Sequence, residues 1–397
     1  MRNVPDSYPR IDPPCPYFGI CGGCTMQDLA YPDQLALKRE RLARALAAVA
    51  GEIPAFELVG LKDPWRYRNR AEFTFGDVQG QLVVGYHVAG SFWRVVDLDD
   101  CLLLPAAAMR VVRAIHAWAR QAGLPAYRPR THDGILRHVL VRASRATGQV
   151  LACLVTAPTP REPIEQMAHE LMAAHPEVSS VYWGISTKLA DIALPDELLL
   201  LRGDTYLEEQ VGPFRLRLAP FSFLQPSTQQ AERMYDAVCA AAGNLSGVVV
   251  WDLYCGLGLV AFYLARTAGR VYGIDSEPQH LELAKMNAQM NGVRNVEFRM
   301  GRTEALLLER RFWLQEARPE VVVVDPPRAG LHPQAISSLL AARPRRLIYL
   351  SCNAQSLVQD LQALLTQYPR YRLVTVQAFD MFPQTDHLET VTLLERA

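Results

Sequence analysis

The stretch VVVWDLYCGLGLVA, residues 248–261, decides how the second half of this chain folds. Its opening, Val248-Val249-Val250-Trp251, is β-branched and aromatic and reads as a buried strand. The run then meets Gly256 and Gly258 in the pattern G-x-G-x-x-A, completed by Ala261. Glycines at these places let backbone approach a ligand while the chain turns from strand into helix. The next apolar run, RVYGIDS (270–276), carries Asp275 near its end, where such folds place the acid that holds a ribose.

Outward from this loop the alternation continues. VEFRMG (296–301), VVVVDPP (321–327) and RLIYLSC (346–352) read as strands with helical stretches between them, and RLVTVQAFD (372–380) and HLETVTLLER (387–396) close the chain. Five βα units followed by two strands predict an α/β fold, a doubly wound Rossmann-like sheet with an antiparallel hairpin inserted at its edge. The glycine loop serves nicotinamide dinucleotides and S-adenosylmethionine alike. Asp252, just before the loop, suits an ammonium or sulfonium better than a pyrophosphate. Asp325 ends the fourth strand, where Pro326 and Pro327 turn the chain at the ligand-binding edge. In LIYLSCNAQSL (347–357) Cys352 stands at the same edge, with Asn353 as the cap of a following helix. A helix amino end would lower the thiol pKa and favour the thiolate. The plain alternative is an inert, buried cysteine.

The N-terminal third is organised by different cysteines. CPYFGICGGC (15–24) spaces Cys15, Cys21 and Cys24 closely enough to wrap a metal centre, and Cys101 in DLDDCLLLP is the best source of a fourth thiolate. Zinc and an iron–sulfur cluster compete; the lack of a second C-x-x-C or H-x-x-x-H favours the cluster. A helix with Leu35, Leu42 and Leu46 on one face follows, stopped by Gly51 and Pro54. From residue 59 to about 210 the pattern predicts an α+β domain with a largely antiparallel sheet. Arg66, Arg68 and Arg70 flank Tyr67 there, and Arg128, Arg130, Arg137, Arg142 and Arg145 could form a guanidinium row on one strand face. Arginine beside aromatics suits phosphates and unstacked bases, although a solvated sheet face explains the charges equally well. The resulting division is 1–58, 59–212 and 213–397.

Composition bounds the rest. Of 397 residues half are apolar and 21% charged, with zero net charge, so a nucleic-acid partner needs a local basic patch. No apolar run approaches the ~18 residues of a membrane span, and the polar, proline-rich start MRNVPDSYPRIDPP is no signal peptide. The expected compartment is the cytoplasm, without membrane association, and nothing demands more than a monomer.

Together CPYFGICGGC, YRNRAEF, LRHVLVR, FSFLQPST, DLYCGLG, DPPRAG, YLSCN and DMFPQTDHLET resemble, in order, the RNA 5-methyluridine methyltransferases. The resemblance is to their iron–sulfur, RumA/RlmD-like branch, in an architecture without the RNA-binding TRAM barrel, similar to the RlmC type. It implies that Cys15, Cys21, Cys24 and Cys101 ligate a 4Fe–4S cluster, that Cys352 is the nucleophile and that Glu389 is the base. It also implies that Gln225, Tyr254, Gly256, Gly258, Asp275 and Asp325 line an S-adenosylmethionine site, and that the substrate is a single-stranded or loop uridine of 23S rRNA. The chain departs from the family's pattern at Leu259, just after the glycine loop, and at Arg302, after the third strand. Uridine C5 methylation of tRNA, an NAD-dependent iron–sulfur oxidoreductase, and an idle RNA-binding protein are the competing readings.

Overall fold

The computed structural model describes residues 8–49, 53–306 and 318–397. The helix stop assigned to Gly51 and the first seven residues of the opening segment lie outside them. A loop carrying Cys15, Cys21 and Cys24 leads into α1 (Tyr31–Leu46) and the two-residue strand β1 (Leu58–Val59). A six-stranded sheet follows, built from β2 (Arg70–Val78), β3 (Gln81–Gly85), β4 (Leu136–Ala143), β5 (Val150–Thr156), β6 (Val178–Ile185) and β7 (Glu197–Gly203). Helix α2 (Ala106–Gln121) precedes β4, and α3 (Glu162–Ala174) joins β5 to β6. The order is β3-β2-β4-β5-β6-β7, and only β5 and β6 run parallel, because α3 provides the crossover that a parallel pair needs. Strands β8 (Leu207–Val211) and β9 (Phe214–Leu218) form a separate hairpin.

The C-terminal sheet begins after α4 (Thr228–Ala242). In chain order it contains β10 (Val249–Leu253), α5 (Leu259–Ala265), β11 (Arg270–Asp275), α6 (Pro278–Met290), β12 (Val296–Met300), α7 (Thr303–Leu306) and β13 (Val321–Val324). It ends with α8 (Pro333–Ala342), β14 (Arg346–Ser351), α9 (Ala354–Gln367), β15 (Tyr371–Phe379) and β16 (Glu389–Arg396). Strand order is β1-β15-β16-β14-β13-β10-β11-β12, with β16 antiparallel to both neighbours. The α/β expectation therefore holds, with one correction: the terminal pair is not an exposed edge hairpin. β16 lies inside the sheet and β15 is covered by β1, which satisfies its outer backbone groups through Ala378 N–H to Glu57 O (3.1 Å) and Asp380 N–H to Val59 O (2.9 Å).

The middle sheet needs a larger correction. Every residue of β4 and β5 is buried. Val139, Val141, Ala152 and Leu154 pack with the cluster that includes α2 and α3, while Leu140, Leu151, Cys153 and Val155 pack with residues of β8, β9 and α4. No strand face is left for a guanidinium row. Arg137 donates to the carbonyls of Lys188 and Ala190, and Arg142 donates to those of Pro220 (2.9 Å) and Ser222. Arg66 pairs with Asp100, Arg70 with Glu72 and Arg128 with Asp133, and Tyr67 donates its hydroxyl to Pro383 O. These arginines and Tyr67 are tied to the protein itself. Sequence alternation cannot reveal this, because a buried arginine satisfied by loop carbonyls reads like an exposed one.

The N- and C-terminal parts are locked by Lys38 of α1, whose ammonium lies 2.6 Å from Asp380 Oδ1 with both side chains wholly buried. It also donates to Phe382 O (3.1 Å). Removing one partner of such a pair strands a buried charge, at a cost of about 3–5 kcal/mol. Lys38→Met is expected to lower stability by that order in urea unfolding, and the double variant Lys38→Met/Asp380→Leu to recover most of it. A single variant as stable as the parent would show that the pair is not a clamp.

Candidate active site

Parallel strands bring their carboxyl ends to one edge of a sheet. Here β10, β11, β13 and β14 do so, and the antiparallel β16 starts at that edge with Glu389. In the β14–β16 register Ser351 pairs with Thr390, whose hydroxyl donates to Ser351 O (3.3 Å). Cys352, next after Ser351, is thereby brought beside Glu389, next before Thr390. Val324 pairs with Tyr349, and Asp325 N–H bonds to Leu253 O (3.2 Å), which puts Asp325 at the ends of β10 and β14. Asn353 caps α9 by accepting from Gln355 N–H, as its position in the sequence predicts.

The electrostatics of this edge differ from expectation. Burial, then the carboxylates of Glu389 and Asp325, push the Cys352 thiol up to about 11, and Arg328 opposes them. The helix amino end does not produce a low thiol pKa, because half-burial among acids outweighs it. Glu389 is buried, and burial followed by Asp325 holds its carboxyl well above the usual range. Burial alone raises Asp325 to about 7. Arg328 draws down both Cys352 and Glu389, and its guanidinium approaches His387 Nδ1 (3.3 Å). Sequence reading does not single out this arginine of DPPRAG, although a cation directly after the Asp-Pro-Pro turn is the available signal. In the free protein the thiol favours its protonated form at neutral pH, and the Glu389 carboxyl ionises less readily than an ordinary glutamate.

The glycine loop lies on the same edge. Tyr254 takes a left-handed conformation (φ 64°), which a tyrosine adopts only under constraint from its surroundings. At Gly258 (φ 78°) an added Cβ would come within 2.7 Å of Phe298. Gly256 N–H donates to Asp275 Oδ2 (2.8 Å) and Glu277 N–H to Asp275 Oδ1 (2.8 Å). Burial opposes charge on Asp275, yet His280 and these two amides outweigh it and hold the carboxyl below its usual range. Asp252 does not simply project toward a ligand: its Oδ2 accepts from Ala261 N–H (2.9 Å) and so fastens the first turn of α5. Its Oδ1 has no partner among the described residues, and neither does Oε1 of buried Gln225. Two unsatisfied buried acceptors fit a ligand that brings donors, such as an amino-acid ammonium. Leu259 faces the core and Arg302 pairs with Glu304 (2.6 Å), so neither departure from the family's pattern intrudes on the loop.

The four N-terminal thiols also converge. Cys15, Cys21, Cys24 and Cys101 line one cavity together with Arg68 and Tyr86. Among the described residues, no three Cys, His, Asp or Glu side chains stand close enough to share a single metal ion. A zinc ion needs every ligand within about 2.3 Å of one point.

The Cys352 environment sets its reactivity. Iodoacetamide is expected to modify it slowly near neutral pH and faster up to about pH 11, because the thiolate is the nucleophile. Glu389→Gln removes one repelling carboxylate and should move the profile to lower pH. Mass mapping of the Cys352 peptide reads both; a midpoint at or below the ordinary thiol value of about 8.5 would contradict the assignment.

Comparison with known proteins accords with this geometry. The family model described as tRNA (Uracil-5-)-methyltransferase matches residues 205–397. An uncharacterised RNA methyltransferase of Halalkalibacterium halodurans is 33% identical, over 100% of this chain and 86% of that protein. Another, from Chlorobaculum tepidum, is 32% identical over 98% of this chain and 84% of that protein. Among solved structures, the Pyrococcus abyssi tRNA (uracil-54, C5)-methyltransferase in complex with S-adenosyl-L-homocysteine has a TM-score of 0.76 and 26% identity, covering 94% of this chain and 86% of that one. The cofactor class is thus a methyl donor and not a nicotinamide, and the chain belongs to the RNA 5-methyluridine methyltransferase family.

Proposed function

We propose that this RNA (uracil-5)-methyltransferase acts on a uridine of 23S rRNA, with Cys352 as nucleophile and Glu389 as base. The observation that carries the reading is the β14–β16 register, which sets the thiol beside a buried carboxyl at the ligand-binding edge. Uracil C5 is too weakly nucleophilic to accept a methyl group unaided. The Cys352 thiolate forms a bond to C6, and the electron pair displaced from the C5–C6 double bond gives C5 enolate-like character. S-Adenosylmethionine supplies the methyl group as a sulfonium, and the new C5–CH3 bond forms as the bond from sulfur to methyl breaks. Glu389 as carboxylate then takes the C5 proton, the C5–C6 double bond returns and Cys352 leaves as thiolate. A carboxyl whose pKa is raised by burial is a stronger base once ionised, which suits it to this proton.

Around this pair, Gln225, Tyr254, Gly256, Gly258, Asp275 and Asp325 are the proposed methyl-donor site. Support comes from the unsatisfied acceptor of Gln225 and from the open space above Gly256. The target base must be unstacked to expose C5. Phe223, 55% exposed two residues before Gln225, is the proposed stacking partner in place of half-buried Tyr67, whose hydroxyl is bound to Pro383 O. The proposed domains are 1–58, 59–212 and 213–397, with the last carrying the chemistry. Cys352→Ala is expected to abolish methyl transfer, and Glu389→Gln to accumulate a covalent RNA adduct visible on denaturing gels. Full activity in the alanine variant would end the nucleophile reading.

A second reading, uridine C5 methylation of tRNA, is favoured by what the Pyrococcus abyssi relative acts on. The 23S reading is supported by the cysteine motif and its resemblance to the ribosomal branch. Methylation of unmodified 23S rRNA and tRNA transcripts, compared side by side, separates the two.

The four thiols are the proposed ligands of a 4Fe–4S cluster. The support is that the four thiols line one cavity, together with the resemblance of the cysteine motif. Methyl transfer moves no net electrons, so such a cluster would tie the N-terminal loop to Cys101 without entering the reaction. Anaerobically purified protein is expected to absorb broadly near ~400 nm, and Cys21→Ser to lose that band. A colourless protein holding one zinc would overturn the cluster.

A further inference from the structure

The strand pair that leaves the middle sheet beyond β3 ends in an exposed aromatic tip. Residues 84–88 and 94–98 run antiparallel, through Leu98 N–H to Val84 O (3.1 Å), Val96 N–H to Tyr86 O (2.9 Å) and Val88 N–H to Arg94 O (2.8 Å). The turn between them is closed by Ser91 N–H to Val88 O (2.9 Å) and by Arg94 N–H to Ser91 Oγ (3.1 Å), with Gly90 in the left-handed conformation (φ 75°). Phe92 and Trp93 stand at this tip, 84% and 59% exposed. Adjacent aromatics so open to water mark an interaction site more often than chance, since their burial elsewhere would have been favourable.

The tip is also rigid. The cysteine loop pairs along its first arm: Gly22 N–H donates to His87 O (3.0 Å), Ala89 N–H donates to Ile20 O (2.8 Å), and Cys21 bridges Val88. On the other side, the Arg130 guanidinium lies over the Trp93 ring at 4.5 Å from its centroid. Arg130 and the exposed Arg94 have no carboxylate partner among the described residues. The neighbouring acids do not neutralise them: Asp97 and Asp99 pair with Arg113, and Asp100 with Arg66. The same cysteine loop reaches the catalytic edge, since Thr25 and Met26 N–H both donate to Gln384 O, five residues before Glu389. The cysteine loop therefore joins the first arm of the tip to the segment that leads into Glu389.

We propose that Phe92, Trp93, Arg94 and Arg130 form a stacking platform for unpaired nucleotides of the RNA substrate, away from the target uridine. The aromatic faces take bases regardless of sequence, and the two guanidinium groups take phosphates. Charge complementarity favours RNA over a protein partner, whose interface would leave Arg94 and Arg130 to be matched by acids. The proposal rests on the reading of this chain as an enzyme that modifies RNA.

The test is steady-state methylation of 23S rRNA and tRNA transcripts by the full chain. Trp93→Ala and Phe92→Ala/Trp93→Ala should raise the KM for the transcript that wild type methylates by about tenfold or more. They should leave kcat within about twofold and S-adenosylhomocysteine affinity unchanged. Trp93→Phe, which keeps a stacking face, should restore most of the KM. Arg130→Gln should lower the salt dependence of RNA binding by about one unit of slope. An unchanged KM in the double variant, with wild type active, would overturn the platform and leave the function standing. Wild type that transfers no methyl to either transcript would overturn both.

Discussion

The antiparallel pairing of β14 with β16 is the constraint on which the proposed chemistry depends. It joins a strand ending at Ser351 to one starting at Glu389 and fixes which residues face each other at the ligand-binding edge. A slip of one residue would turn every side chain of β16 to the opposite face and take Glu389 away from Cys352. Such a slip is disfavoured because β16 is paired on both sides, to β14 and to β15, and because Val391, Leu393 and Leu394 are buried. An edge hairpin would have held the carboxylate through one ladder only. The interior position of β16 holds the proposed base through two ladders.

Several contacts outside the sheet hold the segment that leads into β16. Lys38 binds Asp380 and Phe382 O, Gln34 binds Gln384, the cysteine loop binds Gln384 O, and Tyr67 binds Pro383 O. All come from the first 70 residues of the chain. In the same way, Asn69 and Arg142 of the middle sheet hold the backbone of the loop around Gln225, at the carbonyls of Gln225, Pro220 and Ser222. The polar residues of these parts thus act as positioning groups for a site built mainly from the last 150 residues. A buried hydrogen-bonding group has a definite geometry that apolar packing alone does not impose.

The charge balance of the site follows from its dryness. Two carboxyl groups and a thiol share a region of low dielectric, where Asp325 opposes ionisation of Glu389, both oppose that of the thiol, and Arg328 relieves only part of the repulsion. The resting thiol keeps its proton, which protects it from oxidation and stray alkylation. In the proposed mechanism, ionisation is left to the assembled complex, where a cationic methyl donor and an RNA substrate would change the local field.

The sequence by itself determined the α/β class, the strand-to-helix turns at Gly256–Gly258 and Ser351–Asn353, and the residues expected at the site. These features are local: hydrophobic period, turn chemistry and capping act within a few residues. It also suggested a row of arginines on one strand face for RNA, and for Arg137 and Arg142 it misled. Whether Arg137 or Arg142 meets solvent depends on loops 50 to 80 positions away, which periodicity does not register. Likewise only the tertiary structure decided that β16 enters the sheet and that Asp325 and Glu389 crowd the thiol, and only it put Trp93 beneath Arg130. Strand order, desolvation and cross-domain hydrogen bonds arise from non-local packing. A chain read one window at a time carries the parts of this site, and the fold alone supplies the distances between them.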